Sequence, residues 1–293
     1  MTTDLRPSTA ATGSRRVARV VRRLPGTIVL TLLVAVTVLP LIWLALGSLK
    51  TQSEFIGNPT LALPENFLNF DNYARAWNEG HIGSFIANSA LATFPSLALI
   101  IVFGVAAGFA LEVLVWKGRG GVLLLFLAGI MVPGQMILLP LFSAYFTLGL
   151  TGTIWPLILT YTATGLPLTV FMMATYFRAI PKEVFEAAAI DGANIYRIFF
   201  SIAFPMVRNA VFTVALVQFF FIWNDLLIAL TFTNSSDLRT IQVGLLNFTG
   251  EFGATQYGPL FAAICINVFG TLVLYLVLNQ RVMKGLTAGS VKG

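Results

Sequence analysis

Residues 120–177 read GGVLLLFLAGIMVPGQMILLPLFSAYFTLGLTGTIWPLILTYTATGLPLTVFMMATYF and contain no Asp, Glu, Lys or Arg. A second stretch without these residues covers positions 252–280. A helix of about 20 apolar residues crosses the hydrocarbon core of a bilayer, so long uncharged stretches are typical of transmembrane helices. These two stretches predict a protein that lies within a membrane.

The composition of the whole chain supports the same conclusion. Apolar residues make up 57% of the sequence and charged residues 10%, whereas a soluble domain carries about 25% charged residues. A soluble core of this size would need a charged shell, and the residues for that shell are missing. We therefore predict an all-α, polytopic membrane protein.

Two residue types that carry much enzyme and metal chemistry occur once each. His81 lies in a polar loop, and Cys265 lies in the last apolar stretch, where a small packing role fits it. One cysteine excludes an intrachain disulfide, and one histidine excludes a His-rich metal site. The sequence therefore predicts no metal site and no catalytic site.

The basic residues are concentrated before the first apolar stretch. Six arginines stand there, without aromatic residues between them: Arg6, Arg15, Arg16, Arg19, Arg22 and Arg23. Basic residues beside a first span follow the positive-inside rule, and no nucleic-acid partner is predicted. The apolar run is too long for a cleavable signal peptide, and further spans follow it.

Hydropathy and turn residues predict six spans. They cover residues 28–46, 85–111, 122–146, 153–177, 207–232 and 257–280. Pro133 and Pro140 interrupt the third span, and Gly149 with Gly152 forms the turn before the fourth. The predicted domains are a basic segment at 1–25, a transmembrane domain at 26–280 containing a loop at 181–205, and a tail at 281–293.

The loop charges predict the orientation of these spans. With the N-terminus in the cytoplasm, fifteen of the eighteen basic residues lie on the inner side. Lys50, Arg75 and Arg239 remain outside. This asymmetry predicts that both termini are cytoplasmic.

Two long outer loops, 49–84 and 233–256, are polar. The stretch NFDNYARAW in the first loop predicts a short surface helix. Acids outnumber bases on this side, seven to three, when Asp225 is included. Simple hydration and a docking surface for an external protein both explain this excess.

The inner loop 181–205 has the turn chemistry of two short helices. Pro181 suits the first turn of a helix, and Glu183 complements the positive end of its dipole. Gly192 suits a left-handed helix end, and Asn194 can cap a second helix. Pro205 is predicted to stop that second helix before span five. The pattern predicts a helix–turn–helix that lies along the membrane and docks onto a partner.

The spacing within this loop resembles the EAA loop of ABC-importer permeases. That pattern is Glu-Ala-Ala, three residues, Gly, nine residues and Ile-x-Leu-Pro. The matching positions are Glu186, Ala187, Ala188, Gly192, Ile202 and Pro205, with Phe204 in place of the usual Leu.

Further stretches resemble the permeases of carbohydrate importers of the maltose-transporter type, in the second-permease branch. They are GLTAGSVKG at 285–293, FIWNDLL at 221–227, FIANS at 85–89 and SLK at 48–50. The branch often has a proline near positions 270–271, where this chain has Gly270 and Thr271. The resemblance implies the type I ABC-importer permease fold.

The resemblance also implies a set of partners. These are a homologous second permease, two ATP-binding subunits, an extracytoplasmic solute-binding protein and membrane lipid. The chain lacks the GxxxxGK[ST] loop that holds phosphates, so ATP and Mg²⁺ are expected on the separate ATPase. The expected activity is alternating-access import of a di- or oligosaccharide across a bacterial or archaeal cytoplasmic membrane.

Polar residues within the predicted spans are candidates for the substrate path, because such groups are costly in lipid. They are Asn88, Gln135, Gln218, Asn224, Asp225 and Asn267. Interhelical hydrogen bonding explains each of them equally well. For Asp225, a structural or gating role is favoured over a sugar contact, because the FIWNDLL motif occurs whatever the sugar. Glu112, at the inner end of span two, is expected to be solvated or paired with Lys117 or Arg119.

Other functions remain open at this stage. A related importer for a polyol or a glycerol phosphate ester fits most of the same residues. A secondary transporter driven by H⁺ or Na⁺ would need coupling carboxylates near mid-membrane, which the predicted spans lack. An enzyme is the weakest alternative.

Overall fold

The computed structural model describes the backbone of residues 10–250 and 255–289, and the side chains of residues 26–250 and 255–276. Within these ranges the regular secondary structure is helical, apart from an isolated bridge between Thr249 and Thr255. The α-helices are α1 Ala10–Gly47, α2 Gln52–Gly57, α3 Asp71–Asn78, α4 Ile82–Glu112, α5 Arg119–Met131, α6 Gly134–Thr147, α7 Trp155–Arg178, α8 Lys182–Ile190, α9 Ile195–Ile198, α10 Phe204–Trp223, α11 Leu227–Phe232, α12 Ile241–Gly244 and α13 Tyr257–Gly289.

Five described helices are long and apolar enough to cross a membrane, and the bent pair α5–α6 gives a sixth span if it counts as one. The all-α, polytopic prediction is confirmed. We call the end of the bundle with loops 49–84 and 233–256 outer, and the end with loop 181–205 inner. The short surface helix predicted in the first outer loop is α3. The six N-terminal arginines, Glu251 and the C-terminal run lie outside the residues with described side chains, and the domain boundaries stay predictions.

The third span is broken rather than continuous. Helices α5 and α6 meet at an angle of 97°. Val132 is extended, with φ −76° and ψ 118°, because a following proline disfavours the helical conformation. Pro133 therefore makes the break, whereas Pro140 lies inside α6. The prediction that Pro140 also interrupts the span is wrong.

The fifth span differs from the prediction at both ends. Its helical path runs from Ile195 to Trp223, so 207–232 is wrong, and α11 is a separate short helix. The break falls at Asn224 and Asp225, whose side chains bond nearby backbone groups and compete with the helix. The Asn224 amide donates to the Phe220 carbonyl at 3.0 Å.

Pro205 does not stop the second inner helix as predicted. It lies in the first turn of α10, and the helix continues through a π-helical segment, Phe199–Ala203. In this segment the Phe204 amide donates to the Phe199 carbonyl, five residues back. Proline lacks an amide donor and crowds the preceding turn. The wider π turn accommodates both the missing donor and the crowding, so the helix continues into the fifth span without a break.

Helices α4 and α7 form the most extensive contact among the described elements. Gly104 and Gly108 on α4 face α7, where a Cβ at Gly104 would collide with Thr169. A Cβ at Gly108 would lie 2.7 Å from the Cβ of Met173. Lipid gives helices no hydrophobic drive to associate, so close backbone approach across small residues supplies the packing.

Three buried clusters line the bundle from its outer to its inner end. The outer one joins α3, α4, α12 and α13, and the middle one joins α4, α6, α7 and α11. The inner cluster joins α4, α7 and α10 with the inner loop. In contrast, the described side chains of α1 are exposed from 26 to 40, and this helix packs on α13 near its outer end.

We expect Gly108→Val to separate α4 from α7 and lower stability. Overpacking of this kind costs about 1–3 kcal/mol, which thermal unfolding of the purified protein would detect. Ala106→Val is the matched control, because Ala106 is an exposed residue of the same helix turn. Equal unfolding temperatures for the two variants would contradict the close approach.

Candidate functional site

The local structure of the inner loop follows its turn residues. Pro181 stands immediately before α8, and Glu183 lies in the first turn. Gly192 has φ +79°, the left-handed conformation predicted for it. The Asn194 side chain accepts a hydrogen bond from the Arg197 amide at 2.9 Å and caps α9. These expectations are confirmed.

One surface of the loop faces away from the bundle. Glu186, Ala187, Ile190 and Tyr196 are exposed, Ile190 to 87%. We call these four residues the docking surface. Ile190 and Tyr196 place two exposed apolar side chains on this surface, beside the exposed carboxylate of Glu186.

The opposite surface of the loop is attached to the spans. Ala188 is buried, so the second alanine of the motif packs inward, while Glu186 is exposed at the edge of the docking surface. The Phe109 ring of α4 lies 5.1 Å from the ring of Phe199 and 6.4 Å from that of Phe185, both with edge-to-face geometry. Of the remaining motif residues, Ile202 is half-buried and Pro205 is exposed at the start of span five.

An ion pair joins the inner ends of α4 and α7 beside this attachment. Arg178 donates from Nε to Glu112 Oε1 at 3.0 Å and from Nη2 to Oε2 at 2.8 Å. The expected partners of Glu112 are therefore wrong. Arg119 donates to backbone carbonyls instead of the carboxylate, to that of Leu114 at 2.9 Å and to that of Glu112 at 3.4 Å. A bidentate pair fixes orientation as well as distance, so the residue that ends α7 is fixed where the loop begins.

A cavity of about 370 Å³ separates α8 from the inner ends of α4 and α5. Glu112, Arg178, Phe185 and Glu186 are among its lining residues. The aromatic contact between Phe109 and Phe185 therefore forms part of the wall of this cavity.

A second cavity, of about 570 Å³, lies at the bend between α5 and α6. Helix α7, helix α10 and the break before α11 complete its wall. Its polar lining residues are Tyr161, Thr164, Gln218 and Asp225. Its larger apolar lining residues are Ile130, Val132, Ile137, Phe221, Ile222 and Ile228. The bend between α5 and α6 and the break before α11 therefore border the same cavity.

Asp225 joins two helices at this cavity. Its Oδ2 accepts from the Tyr161 hydroxyl at 2.9 Å and from the Ala229 amide at 3.0 Å. The carboxylate thus caps α11 and ties it to α7. This geometry fits the structural role favoured from the sequence, while the position on the cavity wall leaves a gating role as a prediction.

Gln218 makes interhelical bonds at the same wall. Its Nε2 donates to the Gly165 carbonyl at 3.0 Å and to the Thr169 hydroxyl at 2.9 Å. The side chain is buried and holds α10 against α7. Its role as a sugar contact stays a prediction.

Two of the candidates lie away from the cavity at the ends of their helices. The Asn88 amide donates to the carbonyls of Asp237 at 2.6 Å and Arg239 at 3.1 Å, and so fastens the second outer loop to α4. Gln135 is exposed in the first turn of α6.

The last two candidates border a different cavity, of about 350 Å³, beside Leu41 of α1. Asn267 accepts from the Trp223 indole at 2.9 Å, and Asn224 bonds back to its own helix. Of the six candidates, the structure brings together Gln218 and Asp225 on one cavity and Asn224 and Asn267 on another.

Sequence reasoning missed Tyr161 and Arg178. Tyr161 lies in the uncharged stretch, yet a buried tyrosine hydroxyl usually has a hydrogen-bond partner. A carboxylate near a span needs a donor in the same way, so Tyr161 and Asp225 could have been paired. Arg178 and Glu112 both end spans on the predicted inner side, which was a usable signal for their pairing.

Comparison with known proteins gives concordant matches. The model of the family described as binding-protein-dependent transport system inner membrane component matches residues 89–283. The diacetylchitobiose uptake system permease protein NgcG of Streptomyces coelicolor is 32% identical over 284 residues, covering 97% of this chain and 92% of that protein.

Two further matches extend this likeness. The melibiose/raffinose/stachyose import permease protein MelC of Bacillus subtilis is 31% identical over 270 residues, covering 90% of this chain and 96% of that protein. A crystal structure of a bacterial ABC transporter involved in the import of the acidic polysaccharide alginate matches with a TM-score of 0.75 at 19% identity. It covers 95% of this chain and 99% of that chain, which supports the type I permease fold.

We expect Arg178→Glu and Glu112→Arg each to lower thermal stability, and the double exchange to restore part of the loss. The Arg178 side chain is 61% exposed, so each single substitution should lower the free energy of unfolding by about 1 kcal/mol. Glu79→Gln is the control, because it breaks the Arg75–Glu79 pair, in which both side chains are exposed. Additive losses in the double exchange would contradict the pairing.

Proposed function

The chain belongs to the binding-protein-dependent transport system inner membrane component family, and we propose that it is a permease subunit of an ATP-driven sugar importer. Its cargo is a di- or oligosaccharide. Its membrane is a bacterial or archaeal cytoplasmic membrane, with both termini in the cytoplasm. The excess of arginine and lysine on the inner side supports this orientation.

The observation that carries the proposal is the inner loop itself. It presents an exposed docking surface on one side and packs into the inner cluster on the other. The sequence lacks a P-loop, so the chain needs a separate ATPase to supply energy. In this proposal two ATP-binding subunits hold ATP and Mg²⁺, and one of them covers the docking surface.

Movement of the loop would reach the spans through short contacts. Phe185 and Phe199 contact α4 through Phe109, and Arg178 is fixed to Glu112. An ATPase that binds one position of the loop better than another would therefore shift the spans between two arrangements. Alternating access follows if the arrangements open opposite ends of the path.

The cavity of about 570 Å³ is the proposed stretch of the transport path. It borders the bend at Pro133 and the break at Asp225, the two places where the spans lose helical continuity. Discontinuous helices at membrane depth are tolerated where they line a cavity. They can also change angle there without unfolding the rest of the bundle.

The chemistry of this cavity favours a neutral sugar over a glycerol phosphate ester. Among its described lining residues there is a carboxylate, Asp225, and neither lysine nor arginine. Phosphate recognition ordinarily uses basic side chains or amide donors. Hydroxyl and amide groups at Tyr161, Thr164 and Gln218 suit sugar hydroxyls, and the apolar wall suits ring faces. The sugar cargoes named for NgcG and MelC support this choice.

The remaining partners in the proposal are a homologous second permease and an extracytoplasmic solute-binding protein. The family description itself refers to binding-protein dependence. The exposed acids Asp71, Glu79 and Asp237 at the outer end provide a surface for the binding protein. A polyol importer of the same machinery is the second candidate.

Transport assays test the proposal directly. We expect proteoliposomes containing this chain, its second permease and the ATPase to take up a labelled oligosaccharide when ATP and the binding protein are both present. Omitting either should reduce uptake to background. Uptake by this chain alone under an H⁺ or Na⁺ gradient would overturn the proposal in favour of a secondary transporter.

We expect Ile190→Asp to reduce co-purification of the ATPase about tenfold, the effect of losing ~1.4 kcal/mol of binding free energy.

Glu186→Ala combined with Gly192→Pro should abolish transport-coupled ATP hydrolysis, because proline cannot adopt the φ of +79° found at Gly192. Lys117→Asp is the control, since Lys117 is exposed on the inner α4–α5 turn outside the docking surface. Wild-type co-purification by the first two variants would exclude ATPase docking at this surface.

A further inference from the structure

The first part of the first outer loop, residues 50–70, has reversed polarity. Lys50, at its start, is 3% exposed and Glu54 is 6% exposed, whereas Leu61 is 78% and Leu68 77% exposed. A loop surrounded by water would turn its charges outward and its leucines inward. The arrangement instead suits surroundings that are apolar.

The inward carboxylate of this loop, that of Glu54, is well satisfied. Glu54 accepts from the Glu65 amide at 2.7 Å, from the Thr51 amide at 2.6 Å and from the Thr51 hydroxyl at 2.7 Å. Burial acts to raise the pKa of Glu54, but these hydrogen bonds and the charge of Lys50 outweigh it and lower the pKa below its usual value. The buried carboxylate therefore organises the loop from inside.

The loop is also fastened to the outer ends of two spans. The Trp43 indole of α1 donates to the Thr60 carbonyl at 3.1 Å. The Phe55 ring stacks on Tyr257, at the start of α13, with centroids 5.3 Å apart. The exposed side chains are thus presented by an anchored structure, at the level where the spans end.

Thr60, Glu65 and Asn66 are exposed polar residues between positions 56 and 70, but most outward side chains there are apolar. The large ones are Ile56, Leu61, Leu63, Phe67, Leu68 and Phe70. Within this fully described segment, Glu65 is the one exposed charged residue. Helix α1, whose outer part holds Trp43, has exposed residues from 28 to 39 that are mostly apolar and uncharged.

We infer that residues 56–70 are embedded in the interface of the outer leaflet, with these six side chains among phospholipid acyl chains. Apolar residues beside a tryptophan at a span end are typical of segments at the lipid headgroup level. A protein-binding surface would be richer in Tyr, Trp and Arg, and leucine is under-represented at the centres of such surfaces. The inference requires a membrane-spanning chain and is independent of the proposed cargo.

Spin labelling of the assembled importer in phospholipid vesicles tests this inference. Cys265 is the single cysteine, so Cys265→Ala gives a background for Leu61→Cys and Leu68→Cys. Both positions are exposed, and the substitutions remove no buried contact. Val36→Cys on α1 is the lipid reference, and Asp237→Cys on the second outer loop is the water reference.

For each label we take the ratio of its accessibility to oxygen to its accessibility to a soluble nickel complex. We expect this ratio to be severalfold higher at positions 61 and 68 than at 237. It should approach the ratio found for the label at 36. Nickel accessibility equal to that at 237 would show a water-facing loop and overturn the inference. Immobilised labels that neither reagent reaches would also overturn it, in favour of a protein partner.

A second measurement guards against effects of the label itself. Bimane attached to the same cysteines should lose fluorescence in vesicles whose phospholipids carry bromine on carbons near the headgroup. The bimane at 237 should keep its fluorescence. Equal quenching at 61, 68 and 237 would contradict the inference.

Discussion

The close approach of α4 and α7 is the contact on which the rest of the structure depends. Lipid surrounds the spans, so apolar burial gives little reason for helices to associate, and packing must come from fit between backbones. Gly104 and Gly108 make that fit possible. The paired helices then present Asn88 at the outer end, the wall of the larger cavity in the middle, and the pair Glu112–Arg178 at the inner end.

Helix α7 is common to both parts of the proposed mechanism. Tyr161 lies near its outer end and bonds Asp225, while Arg178 is its last residue and precedes the inner loop. The helix has 24 residues, which span about 36 Å at ~1.5 Å per residue. A shift of the inner loop can therefore reach the cavity wall through a single helix, with Pro167 inside it as a place where it can bend.

The spans, their number and the inner loop could be predicted because each depends on local chemistry. Charge-free stretches predict spans, and the left-handed glycine at 192 ends α8 whatever surrounds it. The pairing of Glu112 with Arg178 could not be predicted in this way, because it depends on which helix ends become neighbours in space. The end of α10 was missed for a similar reason. Asn224 and Asp225 lie in an apolar run, so nothing local marks them as a helix end. Tyr161, from another helix, stabilises the break at these two residues by donating to Asp225.

The π-helical segment Phe199–Ala203 gives the spacing of the inner loop a geometrical meaning. An α-helix turns about 100° per residue, and a π turn holds one residue more than an α turn. The extra residue is therefore absorbed within one turn, so the inner loop keeps the direction that a regular helix would give it. A further residue, which this turn could not absorb, would rotate everything before it by about 100° around the axis of α10. The nine positions between Gly192 and Ile202 therefore act as an angular setting for the docking surface.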